Sequence, residues 1–413
     1  MRAISTADPH PAVPDPAQFR AAARAFLDAH LPRAQPGRFQ WGAGSDRVGL
    51  ISEHGVQEQE QEVEEARAWR RLLYDHGYGW LTGPPAYGGR GLPARYEAIW
   101  QELLWDYQVP SQGPFFGLGM LAPTILQYAI EPVRARLLPA MYRGDVIACQ
   151  LFSEPGAGSD LAAIATAAVP DGDRWRITGQ KIWSSGAHYA DIGLIICRTD
   201  PESTRHRGLT AFLIDMRQPG VQTRPIREAT GKASFNEVFI DGATARDDER
   251  LGEVGAGWQV AMSTMRYERE AISRGGGGAG NAPTGAVSLK RLAATVERFA
   301  AGDVRVRDAL VDVAVRRRVL EAYGRYPRIG ETTDRADGSE AAVAKLLQGE
   351  AFAHTATLLR ATLDQRLWLD TGEWGTAAWS DYVLDVEGMK VAGGTTEIMK
   401  NIVAERLLGL PRS

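Results

Sequence analysis

Apolar positions along the chain change their period twice, and each change marks a boundary. From residue 16 to 148 they recur at helical spacing. PAQFRAAARAFLDAHL carries Phe19, Ala22, Ala23, Phe26 and Leu27 on one face, with Pro16 suited to a first turn. EVEEARAWRRLLYDHG predicts a second amphipathic helix stopped at Gly77, and the acidic stretch 53–66 before it reads as a solvated lead-in. The Pro/Gly-rich GPPAYGGRGL predicts a loop, followed by helices in PARYEAIWQELLWDY, APTILQYAI and EPVRARLLPAMYRG.

From residue 149 to 250 the period shortens. IATAAVP, RWRITGQKIWSS, IGLIICRT, LTAFLIDM, VQTRPI and FNEVFIDG are short runs rich in β-branched and aromatic residues, bounded by turn residues. They predict an antiparallel sheet or small barrel. From 256 the helical period returns in GWQVAMSTMRYEREAIS, SLKRLAATVERFA, DVRVRDALVDVAVRRRVLEAY, AAVAKLLQGEAFAHTATLLRATL and TEIMKNIVAERLLG. Val306, Leu310, Val313 and Ala314 form an apolar stripe on the third of these. A glycine run at 274–285 and a polar loop at 331–340 interrupt them. The expected architecture is α+β, with a helical domain over 1–147, a β domain over 148–255 and a helical domain over 256–413.

Composition narrows the functional classes. The chain is 44% hydrophobic with a net charge of -4, which excludes intrinsic disorder. Lys and Arg (47) do not exceed Asp and Glu (51), so no nucleic-acid binding by bulk charge is expected. No apolar run is long enough to span a membrane, and the N-terminus lacks a signal-peptide core, so a cytoplasmic location is expected. Cys149 and Cys197 read as reduced core thiols. No HxxxH, HExxH or CxxC occurs, so no metal site is expected.

Two segments carry candidate chemistry. FSEPGAGSD (152–160) places Pro155, Gly156, Ala157 and Gly158 in a tight turn where backbone N–H groups can approach a ligand. Ser153 and Ser159 add hydroxyls, and Glu154 and Asp160 can fix the loop. It reads equally as a plain strand-end turn. In GQKIWSSGAHYAD (179–191), Trp183 is either a core aromatic or, beside Ser184 and Ser185, a flank for a planar cofactor. No GxGxxG stands between a strand and a helix, so a dinucleotide-binding fold is not expected.

These segments resemble the two signatures of the acyl-CoA dehydrogenase family of flavoproteins. RGLTAFLIDM, FNEVFIDG, GEVGAGWQVAM and GGTTEIMKNIVAERLLGL match as well, in the family's order, so the resemblance runs from about residue 16 to 411. It implies an N-terminal all-α domain, a middle antiparallel β-barrel domain and a C-terminal four-helix bundle holding FAD. Carried over by motif, Ser153, Gly158, Ser159, Trp183, Ser185, Thr395 and Glu397 would contact FAD, and Ser159 and Arg269 would lie on the substrate side. The implied activity is α,β-dehydrogenation of an acyl-CoA or another carrier's thioester, with an electron-transfer flavoprotein as acceptor and a homo-oligomeric or heteromeric assembly.

That chemistry needs a carboxylate at Cα and two donors on the thioester carbonyl. Many family members place the carboxylate before a Gly-Thr pair, where this chain has Gly393. A second family solution puts a Glu before an Arg on the first C-terminal helix, which points here to Glu268 in Tyr267-Glu268-Arg269. Met262 and Met265 lie six and three residues before it, near the apolar stripe, whereas Glu270 points about 200° away. A solvated surface Glu is the plain alternative. Gly393 keeps a backbone N–H for the carbonyl. The family's Arg-x-x-Phe-Gly and Gln-x-x-Gly-Gly stretches, which reach a neighbour's FAD, are absent. The basic triplet Arg316, Arg317 and Arg318 stands near the first, either as a phosphate grip or as a solvated face. A flavin monooxygenase or oxidase on the same fold, or a non-catalytic subunit of a heteromeric dehydrogenase, remain as alternatives.

Overall fold

A computed structural model describes residues 13–34, 39–43, 46, 48–50, 56–203, 205–273, 287–325 and 339–411. The glycine run at 274–285 and most of the polar loop at 331–340 lie outside these residues.

Among the described residues, five α-helices open the fold: α1 (Pro16–His30), α2 (Val56–Asp75), α3 (Ala94–Leu104), α4 (Leu118–Tyr128) and α5 (Glu131–Arg143). Asp15 caps α1 by accepting from the Ala17 amide at 2.8 Å. Helix α2 starts at Val56, so much of the acidic stretch read as a lead-in is helical. Glu and Gln are good helix formers, and Val63 and Ala66 fasten that helix to the core while Glu58, Glu60, Glu64 and Glu65 face water. Phe19, Phe26, Trp69, Tyr96 and Trp100 form the core between α1, α2 and α3.

Eight strands follow: β1 (Ala148–Leu151), β2 (Ala167–Asp171), β3 (Arg174–Ser185), β4 (Ile192–Arg198), β5 (Leu209–Asp215), β6 (Val221–Ile226), β7 (Phe235–Arg246) and β8 (Arg250–Leu251). They pair in the order β6-β7-β3-β2-β4-β5-β8, with β1 also on β4. The antiparallel expectation holds for β2–β3, β3–β7, β4–β5, β5–β8 and β6–β7. It does not hold at β4, whose outer edge takes β1 and β2 in parallel, β1 along Ile192–Ile195 and β2 at Arg198. A parallel neighbour needs a long connection, and the 15 residues between Leu151 and Ala167 supply part of one. Cys149 and Cys197 are free and buried in this layer, where burial pushes both thiols up to about 12.

The last layer contains α6 (Gly257–Ser273), α7 (Leu289–Ala300), α8 (Val304–Arg325), α9 (Ser339–Leu363), α10 (Trp379–Val391) and α11 (Thr396–Ile402), which runs on into a π-helical turn, Val403–Leu407. Helices α6–α9 form the expected four-helix layer, and α9 touches α6, α7, α8, α10 and α11. One buried cluster joins all three layers. It links Met120 and Leu138 of α4 and α5, Leu194 and Leu209 of the sheet, and Val260 and Ala261 of α6. That shared core fixes α6 against the sheet.

Candidate active site

The divided edge of β4 shapes the first part of the site. The chain leaves the sheet at Leu151, makes the 152–166 loop, and returns at Ala167 to the same strand edge. Lys181, fully buried on β3, holds the base of this loop. Its Nζ donates to the Phe152 carbonyl at 3.1 Å, the Ile196 carbonyl at 2.7 Å and Glu154 Oε1 at 2.8 Å. The Glu154 carboxylate also accepts from the Ala165 and Thr166 amides. Burial pushes the Glu154 carboxyl up, but Lys181 and these donors bring it below the usual range. Burial lowers Lys181. The tip is left outside: Pro155, Gly156, Gly158, Ser159 and Asp160 are exposed and Ser153 is half-buried. A Cβ added at Gly156 or Gly158 would meet nothing within 4 Å, so the turn borders open space.

The second part is a bulge in β3. Lys181 pairs with Val238 and Ser184 with Asn236, so Ile182 and Trp183 together oppose Glu237 alone. Trp183 absorbs the extra residue with φ of 61°, a left-handed conformation costly for a bulky side chain. The irregularity turns Lys181 and Ser184 inward and sends Trp183 and Ser185 outward. Trp183 is 56% exposed and meets Phe235 edge-on. A lone core Trp is therefore not what this residue is. Ser184 Oγ and Ser234 Oγ are buried near it without a hydrogen-bond partner.

The third part is on α6. Val260 and Thr264 are fully buried, and Glu268 follows at the next i+4 position of the same face. It is partly exposed, yet enclosed enough that desolvation raises its carboxyl above the usual range, against the pull of Arg269 and Lys345. Burial lowers Arg269, whose Nε has no hydrogen-bond partner. Tyr267 donates to Gln127 of α4 at 2.7 Å and Thr264 meets Thr124 at 3.0 Å, which locks α6 in rotation.

Gly393 and Gly394 make the turn after α10 with φ of 69° and 109°, and the Gly394 amide closes on Val391 O. Thr395 caps α11 through the Ile398 amide. Glu397 is exposed, and its own backbone N–H and the Thr395 hydroxyl hold its carboxyl low. Among the described residues, no hydrogen bond or ion pair joins Glu268 directly to Ser153, Trp183, Gly393 or Thr395. Helix α10 is tied instead to the loop before β7 and to α9. Lys232, on the loop leading to Phe235, meets Asp381 near the start of that helix at 2.9 Å. Lys345 donates to Met389 near its end at 2.5 Å.

Three family models match in chain order: the acyl-CoA dehydrogenase N-terminal domain at 50–145, the middle domain at 149–243 and the C-terminal domain at 255–408. The chain belongs to the acyl-CoA dehydrogenase family. It is thus an enzyme of a flavoprotein oxidoreductase family. It is 34% identical to acyl-CoA dehydrogenase IpdE1 of Mycobacterium tuberculosis over 400 residues, 96% of this chain and 98% of that protein. Among solved structures, the Tcur3481-Tcur3483 steroid ACAD matches with a TM-score of 0.73 at 23% identity over 96% of this chain and 98% of its own. The ChsE4-ChsE5 complex from Mycobacterium tuberculosis matches with a TM-score of 0.69 at 22% identity, over 98% and 99%. These two likenesses concern the fold.

Within this acyl-CoA dehydrogenase the basic triplet divides. Arg316 pairs with Asp312 and Glu350, Arg318 with Glu321, and Arg317 is turned inward onto the Val287 carbonyl. The stretch after α9 is also occupied by its own chain. Asp46 accepts from the Gly375 amide at 2.8 Å and from Arg291 at 2.6 Å, and Arg291 lies over Trp374 and Trp379. Among the described residues, no helix is long and apolar enough to cross a membrane, and no cluster of three or more His, Cys, Asp or Glu side chains could hold a metal ion. Lys181, Asn236 and Lys345 were not singled out by sequence. A lysine inside a strand pattern was the available signal for the first.

Proposed function

We propose that this protein is an FAD-dependent dehydrogenase of acyl thioesters in which Glu268 removes the proton from Cα. The observation that carries this reading is the position of Glu268. It continues the inward face of α6, its carboxyl is raised toward neutrality, and the Gly393 position has no side chain to do the work. A raised carboxyl matches a general base to its task, because it holds the proton more strongly once taken.

The residues present fit a flavin. The open space at Gly156 and Gly158, the outward Trp183 ring and the unpartnered hydroxyls of Ser184 and Ser234 suit a planar group with polar edges. FAD bound there would accept the hydride from Cβ. Ser153 and Ser185 would donate hydroxyls to it, Gly158 and Ser159 backbone amides, and Trp183 one π-face. Thr395 and Glu397, at the start of α11, would meet its remaining polar part. The Gly393 N–H would polarise the thioester carbonyl, while Arg269 and Ser159 would line the substrate side. Arg269 has a free buried N–H for that purpose.

An electron-transfer flavoprotein is the proposed acceptor, and assembly into an oligomer is part of the same reading. Val304, Val311, Val315 and Val319 leave an exposed apolar stripe on α8, and a matching solved structure is titled a complex. Purified protein should show a flavin spectrum that bleaches anaerobically on adding a suitable acyl-CoA from a panel, and Glu268→Gln should abolish bleaching. No bleaching with any thioester, together with rapid oxygen use, would instead favour an oxidase or monooxygenase.

A further inference from the structure

The bulge that turns Trp183 outward is held on both sides, and one of the groups that hold it has no part in the proposed chemistry. Trp183 sits at φ of 61°, a backbone conformation that persists only where the surroundings enforce it. A bulge also leaves its extra residue without a ladder partner. Two hydrogen bonds fix the neighbours of Trp183. On one side the Ile182 amide donates to the Ser153 carbonyl at 2.9 Å, which ties the bulge to the start of the 152–166 loop. On the other side Asn236 Nδ2 donates to the Ser184 carbonyl at 3.0 Å. The first bond is made by the backbone alone and the second by a side chain.

Asn236 stands on β7 directly across from Ser184, where the β3–β7 register resumes after the bulge. Both residues are buried, with exposures of 0% and 2%. Asparagine is disfavoured inside strands, and a buried amide needs partners at both ends. Its other end is hydrogen-bonded to the His188 ring. His188 Nε2 lies in turn 3.0 Å from Gln59 Oε1 of α2. The amide is therefore held from behind while its nitrogen is directed at Ser184.

We propose that Asn236 is a positioning residue for Trp183: its amide pins the Ser184 carbonyl where the ladder is interrupted, so that Trp183, between the two pinned residues, keeps its left-handed backbone and presents its ring outward. This rests on the reading that Trp183 supplies one π-face to bound FAD. The position calls for an N–H and not merely for bulk. Leucine has the branched shape of asparagine and no N–H to give, so it leaves the Ser184 carbonyl without this donor.

The test is a double-variant cycle in which full-length apoprotein is titrated with FAD: wild type, Asn236→Leu, Trp183→Gly and the two together. Two quantities are read, the dissociation constant and the fluorescence of the bound flavin, which a stacked indole quenches. Trp183→Gly should weaken FAD binding about fivefold or more and brighten the bound flavin. Asn236→Leu should move both quantities the same way with Trp183 still in place. The double variant should stay within about twofold of Trp183→Gly alone, because a residue that acts through the ring then has nothing left to position. A merely structural residue would lower the melting temperature and leave the bound flavin dark. Asn236→Leu with wild-type affinity and a dark flavin overturns the role of Asn236 and leaves Trp183 as a face for the flavin. Losses that simply multiply in the double variant do the same. Wild-type binding by Trp183→Gly overturns the reading of Trp183 and the proposal with it. If Asn236→Leu does not fold, Asn236→Ala takes its place with the same criteria.

Discussion

Lys181 Nζ lies 2.8 Å from Glu154 Oε1, and the lysine is shut off from solvent. The pair nails the 152–166 loop to the sheet. Removing one partner of a buried pair leaves an uncompensated charge, typically at a cost of about 3–5 kcal/mol. Lys181→Met should therefore lower stability by that order in urea unfolding, and flavin content should fall with it. Adding Glu154→Gln should restore part of the stability, because the stranded charge is gone. No gain in the double variant would show that the lysine acts through its carbonyl contacts alone.

The same pair has a pH signature. The Glu154 carboxyl is lowered in the folded state, so its contribution is present above the ordinary carboxylate range and is lost as pH falls through the lowered value. Unfolding free energy followed from pH 7 downward should drop less steeply in Glu154→Gln than in wild type.

Glu268 has the opposite sign. Its carboxyl is raised on folding, so the native state binds the proton more tightly than the unfolded chain. Stability from this group is fullest below the ordinary carboxylate value and declines as pH rises through the raised one. Glu268→Gln should therefore be at least as stable as wild type at alkaline pH, with the advantage shrinking in acid, while flavin reduction by thioester disappears. Thermal melts across pH check the first part and anaerobic stopped-flow the second. A variant that is less stable at alkaline pH would mean that the carboxylate is needed to balance Lys345 and Arg269.

Trp183 exchanges backbone comfort for an outward ring. Its φ of 61° costs a non-glycine residue about 1–2 kcal/mol, which glycine does not incur. Trp183→Gly should leave the flavin-free protein as stable as wild type or slightly more so. Its flavin affinity should fall about fivefold or more, one stacking face being worth on the order of 1 kcal/mol or more. Equilibrium dialysis against FAD and a melt of the apoprotein separate the two effects.

Gly394→Ala should be harmful. The φ of 109° is unfavourable to any side chain, and a Cβ there would come within 2.4 Å of Met399 Cε. The methionine end can yield, but the backbone cannot. The expected outcome is a loss of about 1–3 kcal/mol and a higher KM for thioester, since the adjacent Gly393 amide is displaced.

How much of this was legible beforehand depends on the kind of signal. Long amphipathic helices such as α6 and strands such as β3 and β4 announce themselves by period, so Met262 and Met265 put Glu268 near the apolar stripe, with a solvated Glu as the alternative. Strands β1 and β8 are too short to carry a pattern, and β1 beside β4 is a tertiary fact. Helix α10 was hidden because it buries polar groups. Asp385 is 3% exposed and accepts from the Leu50 amide, and Tyr382 is fully buried, so the polar positions do not mark its outer face. Lys181 looks like a solvent-facing strand residue until Glu154, 27 positions away, is seen beside it. Lys345 is legible only once the Met389 carbonyl, 44 positions away, is seen beside it.

The shared edge of β4 has a consequence for how such a site can change. Since β1 and β2 each pair with β4 on their own, the intervening loop carries no sheet register. Residues can be added or lost at its tip, outside the Lys181 clamp, without sliding any strand against another. The scaffold therefore lets this loop be remodelled by insertion and deletion as well as by substitution, in single genetic steps that leave the sheet intact.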